Sequence, residues 1–134
     1  MESILIVDDE PTIREIFKTL LEEKGYTTLQ VTNGEDAVKV VEGMNVDVAI
    51  VDLKMDGIDG IETIKQLRII KPDLMIIMTT ALIPGVKEEG SLTTALLSLG
   101  VTLLLEKPFC FSTFPTNVGL LLNARRIDRL KNFG

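Results

Sequence analysis

Apolar side chains follow two alternating rhythms along this chain. Short apolar runs, many of them β-branched, at Ser3–Val7, Thr27–Val31, Val46–Val51, Leu74–Met78 and Thr102–Leu105 read as strands. Their near-continuous apolar character marks strands covered on both faces, the habit of a parallel sheet. Between them the period changes. Ile13, Ile16, Phe17, Leu20 and Leu21 recur at i, i+3, i+4, i+7 and i+8, which predicts a helix with one apolar face, stopped by Lys24-Gly25. A second helix is predicted from an Asn33 cap through Glu35 to about Glu42. A third carries Ile61, Ile64, Leu67 and Ile70 and ends before Pro72. A fourth runs from about Lys87 to Leu99, where Gly100 stops it, and a fifth covers Thr116 to Leu130.

Five βα units in succession imply right-handed crossovers and an α/β fold with a doubly wound, five-stranded parallel sheet. Ligands of such sheets bind beyond the carboxyl ends of the strands. Those ends are polar here: Asp8-Asp9-Glu10 after the first strand, Asp52 after the third, Thr79-Thr80 after the fourth and Glu106-Lys107 after the fifth. Asp8, Asp9 and Asp52 against Lys107 sum to a charge near −2 if all ionise, from three negative groups and one positive. Crowded like charges are costly, and a divalent cation relieves them. An oxygen-only ligand set favours a hard ion, so Mg²⁺ is the expected cofactor.

Composition narrows the class. The 134 residues suit one domain, residues 1–134, with no linker or repeat and no room after the fifth helix for an output domain. A formal charge of −6 opposes direct nucleic-acid binding, since basic residues cluster only in the tail at Arg125, Arg126, Arg129 and Lys131. The apolar runs fall short of the about 20 residues a membrane helix needs. With a lone Cys110 and no basic and apolar leader after Met1, the expected location is cytoplasmic. Histidine is absent, which excludes a His-based triad and a His metal site.

Asp8-Asp9, Asp52, Thr80-Ala81 and Lys107-Pro108-Phe109, in that order on those strand ends, resemble the receiver domain of two-component response regulators over nearly the whole chain. The resemblance implies a flavodoxin-like (βα)5 fold with strand order 2-1-3-4-5. It implies that Asp8, Asp9, Asp52 and the main-chain carbonyl of Lys54 hold Mg²⁺, and that Asp52 accepts a phosphoryl group from a sensor histidine kinase or a histidine phosphotransfer protein. Thr80 would be the switch hydroxyl and Lys107 the contact to the phosphoryl oxygens, with an unspecified protein target or output domain downstream. The chemistry is coherent: a carboxylate attacks phosphorus without a general base, while metal and ammonium neutralise the transferring oxygens. Such a domain is a signalling phosphoacceptor that promotes its own phosphorylation and dephosphorylation, not a conventional enzyme.

Two alternatives belong to other classes. An aspartate-nucleophile phosphohydrolase usually carries a second carboxylate two residues after the nucleophile, where Lys54 stands. A degenerate, non-phosphorylated interaction module is suggested by departures from the family pattern. Leu104 occupies a position that is usually aromatic, Asp56 stands where proline is common, and the stretch from Thr80 to Gly100 is a few residues long. Phe109, Phe111, Phe114 and Pro115 lie where the fifth helix usually begins, as a docking patch if exposed and as core if buried.

Overall fold

The computed structural model describes residues 2–54, 59–80, 98–101, 103–107 and 110–132. The chain runs β1 (Ser3–Val7), α1 (Pro11–Glu23), β2 (Thr27–Val31), α2 (Gly34–Gly43), β3 (Val48–Asp52), α3 (Gly60–Ile70), β4 (Met75–Thr80), β5 (Leu103–Glu106) and α4 (Cys110–Asn132). The strands form one sheet in the order β2-β1-β3-β4-β5, with every neighbouring pair parallel. The doubly wound architecture and its strand order match expectation. Of the helix expected between Lys87 and Leu99, only the end is described, where Ser98 is helical and the chain turns through Leu99 and Gly100.

Alternation along the strands builds a core on each face. Leu5, Val7, Ala49, Val51, Ile76 and Met78 pack against Ala37 and Val41 of α2 and Ile64 and Leu67 of α3. Ile4, Ile6, Val48, Ile50 and Ile77 pack against Phe17 and Leu21 of α1 and Phe114, Val118 and Leu122 of α4. Burying apolar area on both sides is the main favourable contribution to a sheet of this kind.

Local chemistry sets the helix ends. Pro11 opens α1, where its missing N–H costs nothing, and Gly25 follows the helix with φ +91°, a conformation that L side chains resist. Asn33 caps α2 by accepting from the Asp36 N–H at 2.8 Å, and Asp59 caps α3 by accepting from the Glu62 N–H at 2.9 Å. Arg68 was invisible as a structural residue in the sequence. Its guanidinium donates to the carbonyls of Leu99, Pro72, Leu74 and Gly100, tying α3 to the start of β4 and to the turn before β5.

Three strand boundaries and one helix differ from the sequence reading. Strand β3 starts at Val48 and takes in Asp52, β4 extends from Met75 to Thr80, and β5 from Leu103 to Glu106. Apolar runs report burial, whereas a strand continues for as long as its neighbour pairs with it, and Asp52 pairs with Thr79 and Thr80 with Glu106. Helix α4 begins at Cys110, six residues before the expected Thr116, and contains Pro115. A proline inside a helix removes one backbone bond. Here the early turns also bury aromatic rings: Phe17 lies 4.6 Å from Phe114 and 5.3 Å from Phe111 between ring centroids. Phe114 is therefore core and Phe111 packs half-buried against it, and Phe109 lies outside the described residues.

The joint between β3 and α3 is tight. A Cβ at Gly60 would stand 2.3 Å from the Asp52 carbonyl oxygen and 2.8 Å from the Leu53 Cα, both backbone atoms that cannot move aside alone. Gly60→Ala is therefore expected to cost roughly 1–3 kcal/mol, read as a lower urea midpoint with an unchanged m-value. An unchanged midpoint would mean the joint is looser than described.

Candidate functional site

Two residues beyond the last core side chains on the α1/α4 face of the sheet come Asp8, Asp52, Thr79 and Lys107, carried to one edge by the alternation of β1, β3, β4 and β5. Asp8 and Asp52 are buried, and Asp9 is half-buried. One carboxylate oxygen from each of Asp8, Asp9 and Asp52 lies within 4.8 Å of the other two. Lys107 reaches across the edge, with Nζ 2.6 Å from Asp8 Oδ2 and 3.4 Å from Asp52 Oδ1.

The backbone holds this cluster in place. The Lys107 N–H donates to the Thr80 carbonyl at 2.8 Å, and the Leu53 N–H donates to the Thr79 carbonyl at 2.9 Å, so the segments after β3 and β5 are both pinned to β4. Asp8 accepts the Glu10 N–H at Oδ1, 3.0 Å away, while its main-chain carbonyl accepts from Arg14 Nη1 at 2.8 Å. Arg14 escaped the sequence reading, and its signal was slight: a cation one turn into a helix that follows an acidic pair. Thr80 is buried one step nearer the edge than Thr79, and alternation sends its side chain to the α2/α3 face, the side on which half-buried Leu104 packs. Lys54 follows the site, and its main-chain N–H bonds to the Asp52 carboxylate. Asp56 lies outside the described residues.

Electrostatics distinguish Asp52 from an ordinary carboxylate. Burial, reinforced by the charge of Asp8, raises its pKa from 3.8 to about 6, and this is the balance left after Lys107 and the Lys54 N–H have pulled it down. Burial works against the Lys107 ammonium, but the hydrogen bond and charge of Asp8, with those of Asp52, outweigh it and hold its pKa above the usual lysine value. One ammonium therefore compensates the carboxylates only in part. The deficit, together with a donor set made solely of oxygen, fits a small hard cation such as Mg²⁺.

The profile of the response regulator receiver domain matches residues 4–118. The chain belongs to this family. It is a receiver domain of two-component response regulators. It is 37% identical over 97 residues to the sporulation initiation phosphotransferase F of Bacillus subtilis (strain 168), covering 69% of this chain and 78% of that protein. It is 36% identical over 108 residues to the alkaline phosphatase synthesis transcriptional regulatory protein PhoP of the same organism, covering 81% of this chain but only 43% of that relative. Among solved structures it is similar to the Thermotoga maritima response regulator TrrA in complex with Mg²⁺-BeF, with TM-score 0.77, 36% identity and coverage of 90% of this chain and 99% of that one. It is similar as well to the complex of the histidine kinase ThkA with TrrA, with TM-score 0.76, 35% identity and coverage of 91% and 99%. Among the described residues of this receiver, no helix is long and apolar enough to cross a membrane.

The raised pKa of Asp52 gives the metal-free receiver a defined pH response. A carboxyl whose folded pKa lies above its unfolded value favours folding while protonated, and that contribution is lost as pH rises from about 4 through about 6. Asp52→Asn removes the ionisation. Without metal, the variant is expected to exceed the wild type in urea stability by roughly 2–3 kcal/mol near neutral pH, with the gap closing towards about pH 4. A gap independent of pH would contradict the assigned electrostatics.

Proposed function

We propose that this receiver takes a phosphoryl group onto Asp52 from a phosphohistidine of a sensor kinase or phosphotransfer protein, with Mg²⁺ as cofactor. The observation that carries the reading is the convergence of Asp8, Asp9 and Asp52 within 4.8 Å under a single bridging ammonium. Asp8, Asp9, Asp52 and the Lys54 main-chain carbonyl would hold the ion, which supplies positive charge to the oxygens of the transferring group. An Asp52 carboxylate oxygen attacks phosphorus, the P–N bond of the phosphohistidine breaks, and the imidazole, already protonated on its other ring nitrogen, leaves with the electron pair as the neutral ring. Lys107, held between Asp8 and Asp52, has a short path to the phosphoryl oxygens. The Thr80 hydroxyl, at the strand end from the other face, is the donor for the phosphorylated state, and its movement would bias the adjoining surface.

Several observations support the partners and setting. TrrA, the relative solved with Mg²⁺-BeF, has also been solved bound to a histidine kinase, which makes a kinase the natural donor for this chain. PhoP is a transcriptional regulatory protein of which this chain matches less than half, so its output is not carried over. A net charge of −6 speaks for protein partners over direct nucleic-acid contact by these residues, and the cytoplasm is the expected setting. The receiver would promote both the gain and the loss of its phosphoryl group, because the same charges act on the phosphoryl oxygens whether the group moves onto Asp52 or from Asp52 to water.

Incubation with Mg²⁺ and acetyl phosphate, followed by intact mass measurement, tests the reading. One added phosphoryl group, absent in Asp52→Asn and after chelation, is the expected result. Continuous ester turnover without a modified protein would point to a hydrolase, and no modification at all would leave an interaction module. Lys107→Ala is expected to fold yet accept phosphate on the order of 10²-fold more slowly, and a wild-type rate would remove Lys107 from the site.

A further inference from the structure

Thr79 holds a polar group that the mechanism above does not use. It is fully buried at 0% exposure, and among the described residues its Oγ1 is the buried side-chain oxygen without a hydrogen-bond partner. A buried hydroxyl left unpaired is costly, and native interiors rarely retain one without a reason. The register identifies its neighbours. Thr79 stands opposite Asp52 on β3 and opposite Leu105 on β5, and all three side chains share the α1/α4 face. Of the two cross-strand neighbours, only Asp52 can accept a hydrogen bond.

Asp52 has the complementary need. Its Oδ1 is 3.4 Å from Lys107, whose ammonium sits closer to Asp8 at 2.6 Å, and among the described residues the Lys54 N–H also donates to it. An ionised carboxylate offers about four acceptor sites, so capacity remains. Adjacent strands are about 4.8 Å apart, so Asp52 and Thr79, paired in register, stand side by side on one face of the sheet.

We propose that Thr79 is a positioning residue for Asp52: its hydroxyl donates to one carboxylate oxygen and so turns the other towards the incoming phosphoryl group. The hydroxyl keeps its proton throughout and forms no covalent bond. After transfer, the same donor faces the carbonyl oxygen of the acyl phosphate. Thr80, on the opposite face, cannot substitute for it. The inference rests on Asp52 being the acceptor.

The test compares Thr79→Val, which keeps the shape and removes the donor, with Thr79→Ser, which restores the donor, and carries Asp52→Asn in parallel. In the full chain with Mg²⁺ and acetyl phosphate, T79V is expected to accept phosphate about tenfold more slowly, with T79S within about twofold of wild type. Without metal, at a pH of about 8, the Asp52 ¹³Cγ resonance is expected to move in T79V and not in T79S. A wild-type rate for T79V, an unmoved resonance, or T79S as slow as T79V would each overturn the inference. Phosphorylation of D52N would instead overturn the assignment of the acceptor, which keeps the two failures distinct.

Discussion

Like-charge crowding at the carboxyl edge of the sheet is the constraint around which this receiver is organised. Asp8, Asp9 and Asp52 bring carboxylate oxygens within 4.8 Å of one another, two of these residues are buried, and Lys107 bridges Asp8 and Asp52. Such an arrangement would disperse if the backbone allowed it. It is held because each group ends a strand locked between two packed helical layers, and because main-chain bonds from Leu53 and Lys107 to β4 fix the segments that follow. The cost of the cluster appears as an Asp52 carboxyl whose proton is lost only near pH 6. Under the proposed function, a cation and a phosphoryl group are the species that would turn that cost into binding and chemistry.

Much of this was legible in the sequence. Continuous apolar strands alternating with helical periods give the parallel sheet, and the polar residues just past each run give the site, because period-two alternation leaves few places for them to point. The capping role of Asn33 was readable as well, as a short side chain placed just ahead of a helical period. What escaped depends on distance in space. Arg68 bonds carbonyls 31 and 32 residues away, and no local pattern announces that. The early start of α4 was hidden by Pro115, whose local preference is overridden by the stacking of Phe111 and Phe114 on Phe17. The Thr79-Thr80 doublet was visible, but the unmet hydrogen bond of Thr79 becomes apparent only once the register sets it beside Asp52.

The charged cluster and the Thr80 hydroxyl separate across the sheet. Asp52 and the charges around it lie on the α1/α4 face, whereas Thr80 and Leu104 lie on the α2/α3 face, where Leu104 packs half-buried against the core near Met78. A leucine has no ring to swing between inward and outward positions. Any signal passed through this position therefore relies on aliphatic packing, in which displacement of neighbours, not an aromatic rotamer, carries the change.

The central claim is that buried, mutually repelling carboxylates need a divalent cation, and proton release on Mg²⁺ binding tests it most directly. With the Asp52 pKa at about 6, calorimetry in buffers of different ionisation enthalpy should show release of about half a proton per ion bound near pH 6, and almost none near pH 8. Mg²⁺ binding without proton release near pH 6, or no binding at all, would contradict the account.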